Sequence, residues 1–153
     1  MLDIILASKS KVRKDILEKN NILCTVEPSN IDEDPVKESL IKEGATPEII
    51  SKNLAELKAN KVSLKLANQI VLGADSVIDL DGDLISKPEN REEAFNILKK
   101  LNGKIHYLIS SVCISKNGAM IWNHTDSSEL KMKKFSEDQL LSYLNKIKTK
   151  TLM

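Results

Sequence analysis

The run Ile70-Val71-Leu72 passes directly into Gly73-Ala74-Asp75-Ser76, and this stretch constrains the fold more than any other. Uninterrupted apolar residues rich in β-branching read as a buried strand, here Gln69 to Ile78. A carboxylate at the end of such a strand is costly to bury unless it faces a cation, a hydrogen-bond donor or a metal. Asp81-Gly82 then turns the chain through a hairpin into Leu84-Ile85, followed by Ser86-Lys87-Pro88. Lys87 is thereby a candidate for the facing cation. Two readings stand at this point. One is an acid and a lysine that handle phosphates and their metal ions. The other is a solvated turn aspartate beside a solvated lysine.

The remaining segments supply the elements around that strand. Leu2 to Ala7 reads as a strand buried on both faces, and Ser8-Lys9-Ser10 as a polar turn into a helix from Lys11 to Lys19. Leu23 to Val26 is a second short strand. Glu27 to Gly44 is polar and acidic, with Asp32-Glu33-Asp34 at its centre, and reads as a long loop with room for a helical turn. Thr46-Pro47-Glu48 starts a helix through an N-cap, a proline in the first turn and an acid near the positive end; it is expected to reach Leu66. Ile50, Leu54, Leu57, Val62 and Leu66 spread over its apolar face, and Lys58 falls near the middle of that face. A lysine there is unusual, although a snorkelling stem accounts for one. Asn90 caps a helix from Arg91 to Leu101, stopped by Asn102-Gly103. Lys104 to Ser115 is a strand, Lys116-Asn117-Gly118 a tight turn and Ala119 to Trp122 its hairpin partner. Glu129 to Met132 is expected as a separate strand. Ser136-Glu137-Asp138-Gln139 fits a capping box for a last helix to Asn145, followed by a featureless basic tail from Lys146 to Met153. Strands alternating with helices, plus two hairpins, define an α/β fold with a mixed sheet, in one domain over residues 1–153.

Composition narrows the function. A net charge of +1 indicates no general attraction to nucleic acid or membrane, and 3% aromatic residues leave little for base-stacking platforms. No apolar stretch has membrane-spanning length, and Met1-Leu2-Asp3 leads straight into a strand, the expectation for a cytoplasmic protein without a signal peptide. Cys24 and Cys113 form no CxxC or Cys/His cluster, so buried reduced thiols are expected instead of zinc. His106 and His124 lie apart and read as packed or surface residues. There is no G-x-x-x-x-G-K-[ST], no G-x-G-x-x-G after a strand, no G-x-S-x-G and no H-E-x-x-H. Any hydrolytic chemistry must use carboxylates, lysines, an arginine and hydroxyls. Ser8, Ser10 and the amides opening the first helix could hold an anion with Arg13, or Ser10 could be a plain N-cap and Arg13 a surface cation. Glu33 or a neighbour could join Asp75 on a hard cation, or belong to an ordinary charged loop.

Together, Leu6-Ala7-Ser8-x-Ser10-x-x-Arg13, Ile31-Asp32-Glu33, Leu54-Ala55-x-x-Lys58-Ala59, Gly73-Ala74-Asp75-Ser76, Lys87-Pro88 and Leu98-x-x-Leu101-x-Gly103-x-x-His106 resemble the Maf family. These are the Maf-like nucleoside triphosphate pyrophosphatases, first described as septum-formation inhibitors. The resemblance implies a mixed twisted sheet flanked by helices, with two lobes around a cleft, related to inosine triphosphate pyrophosphatases and often dimeric. It implies hydrolysis of a nucleoside triphosphate to monophosphate and pyrophosphate with a divalent metal (Mg, Mn or Co). It assigns Asp75 as proton acceptor, Glu33 and Asp75 to the metal, and Lys58, Lys87 and Arg13 to the triphosphate. Ser8 and Ser10 would line its phosphate end, with Val12 and Ser76 at positions that select the base.

This chain departs from the family pattern in two places. Ser10-Lys11-Val12-Arg13 stands where the family usually has Ser-Pro-Arg-Arg, so Val12 and Ser76 match neither the pyrimidine-type pair nor the methylated-guanine type. Trp122 and Leu130-x-Met132-x-x-Phe135-Ser136 are loosely similar to the methylguanosine branch. Family members also continue past the last helix with a Gly-rich segment, further strands and a closing helix, so by resemblance the chain is C-terminally short. That shortness motivates an alternative: a nucleotide-binding regulator of cell division with impaired catalysis.

Overall fold

A computed structural model describes residues 2–147. The element order is β1 (Leu2–Leu6), α1 (Lys11–Lys19), β2 (Ile22–Val26), α2 (Glu33–Lys42), α3 (Pro47–Lys65), β3 (Val71–Leu80), β4 (Asp83–Ile85), α4 (Arg91–Leu101), β5 (Ile105–Lys116), β6 (Ala119–Lys131) and α5 (Glu137–Lys146). The strands form one mixed sheet in the order β2-β1-β3-β5-β6, with β4 paired to β3. Residues 148–153, most of the stretch read as a basic tail, lie outside the described residues. Among the described residues no helix is long and apolar enough to cross a membrane.

The chain divides into two compact units, one of residues 1–76 and 110–126, the other of residues 77–109 and 127 onward. In the first unit β1 runs parallel to both neighbours, with Ile4 opposite Cys24 and Leu6 opposite Leu72. Ala7, Ala55, Ala59, Val62, Val71 and Cys113 form its core, with Ile5 and Leu66 packed against it. Helix α3 begins as its sequence dictates: Pro47 occupies the first turn and the Thr46 hydroxyl accepts from the Ile49 amide at 3.3 Å. Its buried face differs from the expected one. Leu57 is 41% exposed, whereas Ser51, Ala55, Ala59 and Ser63 are buried beside Ile50, Leu54 and Val62. Small residues occupy the inner face because β3 approaches it closely.

Two expectations are corrected. The acidic segment read as a loop contains the ten-residue helix α2, with Asp32 as N-cap residue and Glu33 and Asp34 in its first turn. Those acids suit the positive end of a helix, and Pro35 still falls in the turn where a missing N–H is harmless. No residue of α2 is fully buried, so it writes no apolar stripe into the sequence. Likewise, the two strands expected at Ala119–Trp122 and Glu129–Met132 are parts of the single long strand β6. β6 is the last strand in the sheet order and is exposed nearly throughout, so its polar centre does not interrupt it.

In the second unit the β3–β4 hairpin pairs Ile78 with Ile85 and Leu80 with Asp83. Asp81 and Gly82 both take positive φ (52° and 90°), the type I′ geometry that suits strand twist. The Asn90 and Ser136 side chains cap α4 and α5, the latter through a complete capping box. Arg91 donates to the Leu144 carbonyl at 2.6 Å and to Asn145 Oδ1 at 3.2 Å, tying the start of α4 to the end of α5.

Candidate active site

The site centres on Asp75, which is 6% exposed. β3 continues beyond it to Leu80, so the carboxylate belongs to the interior of the strand instead of its end. Gly73, two residues earlier on the same face, explains how a helix reaches it. A β-carbon there would stand 2.4 Å from the Ala55 carbonyl oxygen and 2.7 Å from the Ala59 amide nitrogen. Only glycine permits that approach. With α3 so close, the Ser51 hydroxyl donates to the Asp75 carbonyl at 3.1 Å, and Lys58 Nζ donates to Asp75 Oδ1 at 3.2 Å. The central lysine of the α3 face is thereby explained as a half-buried cation paired with Asp75.

Three protein oxygens surround the Lys58 ammonium. Besides Asp75 Oδ1, these are the Ala74 carbonyl at 3.3 Å and Glu33 Oε1 at 2.7 Å. Glu33 arrives on the first turn of α2. Lys61, one turn after Lys58, donates to the Asn30 carbonyl at 3.2 Å and holds the segment leading into α2. Asp75 and Glu33 therefore share one ammonium. The cation facing Asp75 is Lys58, where the residues alone had pointed to Lys87. Burial pushes the Asp75 carboxyl above the ordinary aspartate range. The charge and hydrogen bond of Lys58 pull it back, Glu33 adds to the rise and Lys37 opposes it. Asp75 Oδ2 is buried and has no hydrogen-bond partner among the described residues.

Among the described residues, no three His, Cys, Asp or Glu side chains converge as a closed metal cage. The Asp75–Glu33 pair, with Asp75 Oδ2 unsatisfied, fits a different kind of ion. A Mg²⁺-like cation takes one or two carboxylates and fills its remaining positions with water and phosphate oxygens.

Ser8, Ser10 and Arg13 are brought together at the start of α1. Ser8 Oγ receives the Ser10 amide and an Arg13 guanidinium N–H, each at 3.1 Å; Ser10 Oγ accepts from the Arg13 amide at 3.2 Å. Ser10 is thus the N-cap. The β1–β3 register, with Leu6 opposite Leu72, brings the turn after β1 alongside Ala74 and Asp75. Val12 points outward and is 68% exposed. Ser76 is exposed too, and its hydroxyl pairs with that of Ser110 at 2.9 Å. Lys87 belongs to the second unit, where it lines an open hollow with Glu93, Asn96 and Lys100. Ser51 was missed in the sequence. Its signal is the spacing Ser51, Ala55, Ala59, a small-residue stripe on α3 that faces Gly73.

The backbone has the mixed α/β fold seen in HAM1 proteins. It is similar to the structure of a HAM1 protein from Coxiella burnetii, with a TM-score of 0.55 and 14% identity over 86% of this chain and 73% of the other. The sequence profile of Maf-like proteins matches residues 3–151, and the chain belongs to the Maf family. It is 67% identical over 150 residues to the nucleoside triphosphate pyrophosphatase of Pelagibacter ubique (strain HTCC1062), covering 98% of this chain and 77% of that protein. It is 39% identical to the protein of the same name from Ruegeria pomeroyi (strain ATCC 700808 / DSM 15171 / DSS-3), covering 92% of this chain and 71% of that one.

Proposed function

We propose that this chain is a cytoplasmic nucleoside triphosphate pyrophosphatase, hydrolysing a nucleoside triphosphate to the monophosphate and pyrophosphate. The observation that carries the reading is the buried carboxylate of Asp75, with one oxygen held by Lys58 and the other left unsatisfied. In the proposed reaction a water oxygen bonds to the α-phosphorus, its proton passes to Asp75 Oδ2, and the bond to the bridging oxygen breaks. The electron pair leaves with pyrophosphate. A carboxyl lifted by burial is a better proton acceptor than a solvated one.

Glu33 and Asp75 would hold a divalent ion (Mg²⁺, Mn²⁺ or Co²⁺), which supplies charge neutralisation and a more acidic water. Ser8, Ser10 and Arg13 offer hydroxyl and guanidinium donors for phosphate oxygens. Lys87 enters from its motif, and Val12 and Ser76 as positions bearing on base choice. Charge neutralisation and positioning account for most of phosphoryl-transfer catalysis, so a site of few carboxylates and several cations is sufficient.

The test is a pyrophosphate-release screen over ordinary and methylated triphosphates with each of the three metals, run beside Asp75→Asn. The expected result is turnover that falls by roughly 10²–10⁴ in the variant. Equal turnover by the variant would remove Asp75 from its role. Tight binding with no turnover would favour the regulator instead.

A further inference from the structure

Lys58 hydrogen-bonds the Ala74 carbonyl and Asp75 Oδ1 and is ion-paired with Glu33. An ammonium has three protons to give, and three protein oxygens already lie 2.7–3.3 Å from this one. A phosphate approaching Lys58 has to compete with these protein oxygens. Lys37 lies one helical turn beyond Glu33 on α2, so the two side chains emerge on the same face. It is half-buried, and among the described residues it forms no ion pair or hydrogen bond. Glu33, Asp75 and Lys58 together carry one negative charge. Lys37 cancels it, so each divalent ion then contributes its whole charge toward an anion.

From this arrangement we propose that Lys37 is a further phosphate-facing cation of the site, binding the polyphosphate while Lys58 holds the carboxylates in place. The proposal rests on the pyrophosphatase reading for its substrate but is tested separately from it. Inorganic pyrophosphate with Mg²⁺ is titrated calorimetrically into the parent chain, Lys37→Met, Lys37→Gln, Lys37→Arg and Lys42→Met. Lys42 is exposed at the far end of α2 and serves as the control. The expected result is about tenfold weaker binding by the Met and Gln variants, within a few-fold for Arg, and no change for Lys42→Met, at unchanged melting temperatures. Parent-like affinity in Lys37→Met or Lys37→Gln would overturn the proposal, as would equal weakening in Lys42→Met or no pyrophosphate binding by the parent. Lys37-dependent binding without triphosphate hydrolysis would leave this assignment standing and remove the enzymatic reading. Hydrolysis with an unchanged KM in Lys37→Met would do the reverse.

Discussion

Gly73 and Ala55 are so close that a single added methyl group on the glycine would stand 2.4 Å from the alanine's carbonyl oxygen. That atom is helix backbone, which cannot rotate away. Gly73→Ala is therefore expected to push α3 off β3 and to cost about 1–3 kcal/mol, the usual range for overpacking. Urea denaturation measures it. Because Ser51 and Lys58 ride on the same helix, activity should fall by more than the lost folded fraction explains.

Asp75→Asn tests the titration of the buried carboxyl as well as its chemistry. Its folded-state pKa is raised, so its favourable contribution holds below the unfolded value and is lost as pH climbs through the folded one. At neutral pH the wild-type chain carries that penalty and the asparagine variant does not. The variant should melt higher at pH 7, by about 2–4 °C for each kcal/mol relieved, and the gap should close toward pH 4. Thermal melts across that range decide it; a variant that melts lower at every pH would contradict the argument.

Lys58→Met leaves two carboxylates facing each other with their shared cation gone. Breaking a buried pair from one side costs about 3–5 kcal/mol, and Lys58 is only 12% exposed. The loss should be largest at pH 8 and smallest near pH 5, because protonating Asp75 removes the repulsion. Chemical denaturation at the two pH values gives the comparison, and a pH-independent loss would place the effect in packing alone.

Arg91→Ala probes the second unit without touching the proposed chemistry. It removes the donor to the Leu144 carbonyl and Asn145 Oδ1, at an expected cost of about 1–2 kcal/mol. Proteolysis should cut α5 faster in the variant, while rates normalised to folded protein remain at the parent value.

Local signals made most of the architecture readable. Thr46-Pro47, Asn90 and Ser136 announce their helices because each cap is a bond within four residues. The Asp81-Gly82 turn is equally local. Helix α2 was hidden for the opposite reason: it buries nothing completely, and it is tied to α3 by Lys58 reaching Glu33 and by Lys61 reaching Asn30 just before the helix. β6 was split because an exposed strand has no need of apolar alternation. At the site, Lys58 stood out as a charge on an apolar face, but its partner could not be read, since the pairing depends on the helix-to-strand separation that Gly73 sets. Ser51 was invisible for the same reason.

One helix grips Asp75 at two points, the main-chain oxygen through Ser51 and the side chain through Lys58, seven residues and two turns apart. The acid thus has no freedom of its own. A small rotation or slide of α3 changes its aim and its electrostatic surroundings in a single movement, so substitutions remote from the carboxylate but seated along that helix should alter turnover and acid titration together.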